Sequence, residues 1–530
     1  MAQPLQSINL LAPGFKGVNT EDSPIAQDYS FADIAENAVI DKRGRIAARK
    51  GVSVTTTDKT ALGVDRINKI HFYYSDAGSA SETVLSTGNN KIMSGEATLT
   101  EVSVTVGASQ AAYSITDDNW KIVNFNEKAY FFQRGYDPLV YDYNGGSPTL
   151  QTFQAVNSDT TTDAKLKCHE ALAAYGRLWI ADSDNNSQTV YFSDLLIGND
   201  FSGGSSGSIN VSKVWPDGYD EIKGLAAHNG MLIIFGEHSI IMYADAVIPA
   251  RMALADTIAG VGCICRNSIQ HIGTDVLFMS DDGLRSLGRT IQEKSLPISD
   301  LSANVKTDII DAVSLRTEPT SSVYSPENAF YLITFPDQNK TFCFDLKGRL
   351  ENNSYRTTVW DSALFKAYER KTDGTVLVGN SEGIGEYTGY QDNGAAYTFK
   401  YYSPALTFGD ASKGKMVKKI NPTLIGGPNT TVFLKWAYDF NSFYNTRQFD
   451  VSNQIPYYYN EAASLYGEST DPADPYTPAE FTSGTAVISR PKINGSGFGS
   501  LVTVGVEADI NGFEFSIQEI NVLALIGRTL

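Results

Sequence analysis

The sequence predicts an all-β chain: a β-propeller of about six or seven blades, followed by a C-terminal β-sandwich or barrel domain carrying a long insert. Three observations predict it. β-rich runs recur around tight polar turns through most of the chain. The hairpins they form begin about 40–50 residues apart, the length of one four-stranded blade. From about residue 395 the runs lengthen and the turns thin out. At 530 residues, with 42% hydrophobic and 11% aromatic content, the chain can bury a large core and is not of disordered composition.

The repeated hairpins are read in order. "TVLSTGNNKIMSG" (83–95) turns at Gly88-Asn89-Asn90, "KAYFFQRGYDPLVYDY" (128–143) at Gly135 to Pro138, and "GRLWIADSDNNSQTVYFSD" (176–194) at Asp182 to Ser187. "GMLIIFGEHSIIMYAD" (230–245) turns at Gly236-Glu237 and "TDVLFMSDDGLRSLG" (274–288) at Asp281 to Gly283. "AFYLITFPDQNKTFCFDLKG" (329–348) turns at Pro336 to Asn339, and "GTVLVGNSEGIGEYTG" (374–389) at Asn380 to Gly383. Aromatic and β-branched residues suit a pleated surface, while Gly, Asn and Asp supply the positive φ of tight turns. A long β-sandwich or a β-solenoid is the competing architecture for this stretch.

Residues 1–50 read as an N-terminal arm with a first hairpin, 51–394 as the propeller and 395–530 as the sandwich or barrel. A helix is expected over 296–313, with Leu301, Val305, Ile309 and Ile310 on its apolar side and Ser299 as N-cap. A shorter helix is expected over 30–39. Strands are expected at 397–409, 416–426, 430–440, 484–493, 500–510 and 513–527. The segment 441–481, rich in Tyr, Pro and Asp, is too long for an ordinary connection, and loops of that size carry function or move. Its Tyr457, Tyr458 and Tyr459 are candidates for a channel or distal loop, and its deletion is expected to spare a ring while altering DNA retention or fibre attachment.

Charge and motifs narrow the function. Asp+Glu number 60 against 42 Lys+Arg, a formal charge of −18, which disfavours a broad electrostatic grip on nucleic acid or an anionic membrane. Cys168, Cys263, Cys265 and Cys343 have neither disulfide-scaffold density nor zinc spacing and read as small buried hydrophobes. The N-terminus lacks a secretory pattern and no window approaches a membrane span, so a soluble protein made in a reducing cytoplasm is expected. "SDDGLRSL" (280–287) misses the Ser-x-Asp-x-Gly turn of sialidase propellers by one position. "DSDNNS" (182–187) lacks the sixth-position Gly of a calcium loop, and Ser193 stands where its closing Glu belongs. His71, His169, His228, His238 and His271 are scattered, with no nucleophile elbow and no phosphate loop. No catalytic, cofactor or metal residue is assigned, and no enzyme is expected.

Two basic groups stand out. One is "ENAVIDKRGRIAARKGV" (36–52), with Arg43, Arg45, Arg49 and Lys50; the other is Lys413, Lys415, Lys418 and Lys419. The plain reading is a solvated turn and an edge strand. The functional reading is an interface with an acidic neighbour, a second copy of the chain included. Asp41 to Gly44 reads as a polar turn between two short extended runs.

Four stretches, in this order, resemble the tail nozzle proteins of short-tailed bacteriophages, also called tail tubular protein B or packaged-DNA stabilisation proteins. They are "PGFKGVNTEDSP" (13–24) followed by Asn37, Gly44, Ile46, Arg49 and Gly51; "ALAAYGRLWIADSDNNSQTVYFSDLLIGNDF" (171–201); "AGVGCICRNSIQHIGTDVLFMSDDGLRSLG" (259–288); and "FEFSIQEINVLALIGR" (513–528). These are packing and turn patterns, not catalytic signatures, and 441–481 has no counterpart among them. The resemblance implies a structural virion protein, assembled in the host bacterial cytoplasm, that forms a hexameric ring in the tail. That ring would continue the DNA ejection channel below an adaptor protein, border fibres or spikes and retain packaged DNA until infection. Double-stranded DNA would pass through its lumen without sequence-specific binding. The alternative reading is a glycan-binding or glycan-cleaving propeller, a receptor-binding lectin or glycosidase.

Overall fold

The computed structural model describes residues 5–11, 14–75, 81–108, 110–143, 148–157, 166–293, 300–361, 363–427, 430–451 and 487–529. Among them, seven antiparallel blades follow one another in chain order. Blade one comprises Lys69–Ser75, Ser81–Gly88, Lys91–Ser94 and Thr100–Glu101. Blade two runs Lys121–Phe125, Lys128–Phe132, Leu139–Asp142 and Thr149–Thr152, with Val104–Thr105 added in parallel at its outer edge. Blade three is Cys168–Ala174, Arg177–Ser183, Thr189–Phe192 and Gly207–Asn210; blade four is Ile222–His228, Met231–Gly236, Ser239–Ala244 and Ala253–Ala259. Blade five has three strands, Gln270–Ile272, Asp275–Ser280 and Gly283–Ser286. Blade six is Ser321–Ser325, Phe330–Phe335, Lys340–Arg349 and Tyr355–Asp361. Blade seven is Ala367–Arg370, Val376–Asn380 and Gly383–Tyr387, completed by the N-terminal strand Val52–Val54.

The first strands of neighbouring blades lie side by side around the circle, except that Ile222–His228 of blade four meets Asp275–Ser280, the second strand of blade five; Ala367–Arg370 returns to Lys69–Ser75. The strand Val52–Val54 completes blade seven, so that blade combines chain from both ends of the circle. Each hairpin read from the sequence is the second and third strand of one blade. Their apolar centres are buried: Leu232, Ile233, Ile234 and Phe235, for example, show no exposure on either face. Such strands sit between neighbouring blades and so lose the alternation of a one-sided sheet. At 89–90, Asn89 and Asn90 both take φ of 55°, the backbone a two-residue hairpin turn requires.

The C-terminal part is a two-sheet sandwich. One sheet carries Tyr397–Tyr402, Val502–Ile510, Thr431–Tyr438 and Asn445–Asp450; the other is built on Lys413–Gly426 and Phe515–Thr529. Their inner faces bury Phe399, Leu434, Trp436, Val504 and Val506 against Val417, Ile420, Leu424, Ile517 and Val522. The Phe399 and Phe515 rings meet across the layers at 5.2 Å.

The arm ties propeller to sandwich. Ile34–Glu36 lies between the outer strand of blade six and Tyr397–Tyr402, fusing both into one nine-stranded sheet. Ala38–Ile40 and Ile46–Ala48 form a hairpin on the other sheet, and Gln6–Leu10 pairs with Phe515–Thr529. The expected helix over 30–39 is therefore corrected to two strands. Asn37, at φ 53°, breaks the run between them, and its flanking backbone bonds go to Val359 and to Arg49. The second expected helix starts later than its apolar pattern suggests. A 3-10 turn at Ala303–Val305 leads into the α-helix Lys306–Leu315, which has no side-chain cap. Asp300 accepts the Ser302 hydroxyl at 2.6 Å and holds that stretch in a turn. Ser299 lies outside the described residues. Leu301, Val305 and Ile309 are buried as expected, in the core shared with Phe335 and Phe342. Asn445–Asp450 is a regular strand inside the expected insert, and Tyr457, Tyr458 and Tyr459 lie outside the described residues.

Candidate assembly site

The basic stretch folds as the hairpin its sequence suggests. Gly44 takes φ 78° in the turn, and Asp41 Oδ1 accepts the Arg43 and Arg45 amides at 2.8 and 2.9 Å. The Arg45 guanidinium folds back on Asp41 at 2.6 Å. Lys42 and Arg43, at the turn, are exposed and have no ion pair among the described residues. Beside the hairpin, blade six and the second sandwich sheet enclose a cleft of about 330 Å³. Arg43, Arg45, Lys50 and Lys347 line it together with Asp41, Glu327, Asp345 and Glu514, so its walls carry both signs of charge.

Arg49 is not at any surface, which corrects its place among the interface candidates. Its side chain has no exposure. The guanidinium forks onto Asp392, at 2.9 and 2.7 Å, and donates to Asn37 Oδ1 and the Lys50 carbonyl at 3.0 Å each. It lies 4.1 Å from the Tyr397 ring and 4.7 Å from that of Phe365. A planar, delocalised cation is suited to such a site, and its charge survives burial because a bidentate partner is supplied. Gly51 is equally specific. A Cβ there would stand 1.8 Å from the Gln391 carbonyl oxygen. Asn37, Arg49 and Gly51 thus form one joint among the arm, blade seven and the sandwich.

Lys415 is corrected in the same way. It is enclosed, and its ammonium donates to the Asp410 carbonyl and to that of Ser500, the latter at 2.6 Å. Burial pushes its pKa down. Lys413 pairs with Asp410 at 3.2 Å, while Lys418 is half-buried and Lys419 exposed. The structure does not bring the two basic groups together. Lys419 sits opposite Leu523 and Ile46 opposite Ile517 on the same long strand, about 20 Å apart at ~3.3 Å per residue.

A third charged group escaped the sequence reading. Lys69, His71, Lys121, His169, Glu170, His271 and Glu369 all lie on the innermost strands of the propeller. Glu170 is fully buried, 3.0 Å from Lys121 and 3.7 Å from Arg266. Arg266 reaches Asp182 at 2.6 Å, and Arg134 binds the other oxygen of that carboxylate. These bonds link blades two and three to the 3-10 turn Arg266–Ser268 that precedes blade five. His71 stands 3.9 Å from Glu369. Burial pushes the Glu369 carboxyl up to about 7, with Lys69 opposing, and pushes His71 down to about 4. Burial, then Arg266 and Lys121, drives His169 down to about 2. These residues are scattered along the sequence from Lys69 to Glu369; the faint signal is one or two polar residues in the strand before an apolar hairpin, as in "KIHF", "CHEA" and "YER".

Asp182, in the stretch that falls short of a calcium loop, is occupied by two arginines. Among the described residues no group of three His, Cys, Asp or Glu side chains is placed to hold a metal. The four cysteines are buried, and burial raises Cys263 to about 12 and Cys265 to about 11. No helix of the described residues is long and apolar enough to cross a membrane.

The fold defines a β-propeller whose circle is closed by an N-terminal strand and joined to a sandwich. No family model and no curated protein matches the chain. Solved structures resemble it at low identity. The WD40 domain of Neurospora crassa Pan2 is 8% identical, with 64% of this chain and 94% of that one covered, at a TM-score of 0.34. The WD40 propeller domain of Doa1 is 9% identical, with 60% and 96% covered, at 0.27. PorZ, a surface component of the type-IX secretion system of Porphyromonas gingivalis, is 14% identical, with 74% and 46% covered, at 0.34.

Proposed function

We propose that this chain is a structural subunit of a bacteriophage tail nozzle. Copies form a closed ring that continues the DNA ejection channel beneath an adaptor protein and retains packaged DNA until infection. The observation that carries the reading is the joint just described. Asn37, Gly44, Ile46, Arg49 and Gly51, the residues on which the sequence resembles nozzle proteins, all lie in the arm hairpin or the joint that fastens it to propeller and sandwich. The marks of resemblance are thus architectural.

The charge balance is compatible with a conduit. A strongly basic lumen would hold DNA by counterion release, whereas a formal charge of −18 favours sliding. A ring of identical subunits needs two different complementary surfaces on each copy. An acidic chain with local exposed cations at Lys42, Arg43 and Lys419 has the means to build them. The reaction to expect is assembly and not turnover of a substrate. The test is co-assembly: the purified chain mixed with the adaptor ring of its own phage should migrate as one large complex of fixed stoichiometry. Failure to associate, together with saturable binding of an oligosaccharide, would instead favour the glycan-directed reading.

A further inference from the structure

A pocket of about 170 Å³ opens on the sandwich, away from the basic hairpin, and shares no residue with the cleft beside that hairpin. Asp33, Tyr402 and Tyr444 form its walls, with Ile34 and Phe440 at its rim. The two tyrosine rings lie 5.3 Å apart at 74°. The Asp33 amide donates to the Tyr402 carbonyl at 3.0 Å, which fixes the carboxyl beside the rings. Asp33 Oδ1 is buried and has no hydrogen-bond partner among the described residues.

The other charges nearby are already matched. Glu507 accepts from Lys435 at 2.6 Å and from the Tyr402 hydroxyl at 2.5 Å, and Glu36 takes Lys400 at 2.6 Å. A buried carboxylate oxygen without a donor is costly. Around the opening, Ile34 is 40% exposed, Phe440 59% and the neighbouring Phe443 85%. An acidic, ring-walled pocket with an apolar rim is chemically a receptor for a guanidinium. Such a group donates to a carboxylate, lies flat on aromatic faces and loses its water more readily than an ammonium does.

We propose that the pocket receives Arg43 of a second copy of this chain, so that the Lys42–Arg43 turn of one subunit docks at Asp33, Tyr402 and Tyr444 of the next. The occupant follows from shape and charge. Lys42 and Arg43 stand exposed and without ion pairs on a turn, which can enter a small concavity; Lys418 and Lys419 lie on a flat strand. Pocket and turn are different surfaces, so the contact is head-to-tail and closes a ring when the rotation allows. This inference rests on the ring reading and adds which surfaces meet.

The native cysteines are buried, so introduced exposed thiols report alone. Ile34→Cys and Lys42→Cys chains, prepared separately and then mixed, should be joined by a short thiol-to-thiol cross-linker, while neither alone should be. Asp33→Asn should raise the apparent dissociation constant of the oligomer at least tenfold. Asp33→Arg and Arg43→Asp should each disrupt assembly, and the two together in one chain should restore it. A ring that persists in Asp33→Asn, with no cross-linking in the mixture, overturns the contact and spares the ring reading. A wild-type chain that stays monomeric at every concentration overturns both.

Discussion

Replacing Arg49 by alanine tests whether this arginine is a buried structural pin. The substitution deletes a bidentate ion pair to Asp392, whose side chain is only 12% exposed, and two further hydrogen bonds, to Asn37 and to the Lys50 carbonyl. Breaking one partner of a buried pair costs about 3–5 kcal/mol, because the remaining carboxylate is left without a counter-ion. Loss of the stack on Tyr397 and Phe365 adds ~1 kcal/mol, partly offset as water enters the space. A loss of about 4 kcal/mol is expected for Arg49→Ala. Arg49→Lys keeps the charge but neither the fork nor the flat stack, and should lose ~2 kcal/mol. Urea unfolding followed by tryptophan fluorescence is the assay, since Trp360 lies 5.9 Å from the guanidinium and reports on this joint. Pairing Arg49→Met with Asp392→Leu should cost less than the sum of the single changes by ~2 kcal/mol. A loss below ~1 kcal/mol in Arg49→Ala, or strictly additive single changes, would refute the pin.

Gly51→Ala should destabilise the same joint by ~3 kcal/mol or more in urea unfolding, because the new methyl group overlaps the Gln391 carbonyl unless backbone moves. Glu170→Gln leaves Lys121 and Arg266 facing each other without their shared carboxylate, and a loss of ~3 kcal/mol in thermal or urea unfolding is expected. The Asp33 carboxyl is pushed up to about 6 by burial, from 3.8. The folded state therefore holds a proton that the unfolded chain releases, so stability falls as pH rises between about 4 and 6 and is level above. Asp33→Asn should abolish that fall in the dissociated subunit: the variant matches wild type below pH 4 and exceeds it at pH 7.

The blades were legible because each contributes one hairpin whose strands are apolar throughout and whose turn is rich in Gly, Asn and Asp. "GMLIIFGEHSIIMYAD" is such a case: both strands lie between two neighbouring blades. First and fourth strands were harder to see. "SETVLS" announces itself, but Thr100–Glu101 and Gly207–Asn210 are short, exposed edges with no apolar pattern. The weaving of the arm into the sandwich was hidden, since pairings such as Glu36 with Val359 and with Lys400 join residues hundreds of positions apart. "SFADIAENAV" has helical spacing, yet neighbouring strands supply its hydrogen-bond partners and tertiary pairing overrides local preference.

The site was legible only in part. The turn at Asp41 to Gly44 follows from local chemistry, and Lys42 and Arg43 are exposed there as a charged turn should be. Nothing local distinguishes Arg49 and Lys415 from their solvated neighbours. What buries Arg49 is Asp392 and Tyr397, and what encloses Lys415 is the carbonyl groups of Asp410 and Ser500. The axial set around Glu170 is assembled by the circular order of the blades, and the Asp33 pocket by the meeting of arm and sandwich.

Electron-microscope images of the purified chain, at concentrations spanning its assembly, test the nozzle reading most directly. The expected result is closed rings of six subunits with an open axial channel that accept the adaptor at one face. Monomers alone, with no ring even in the adaptor's presence, would contradict it.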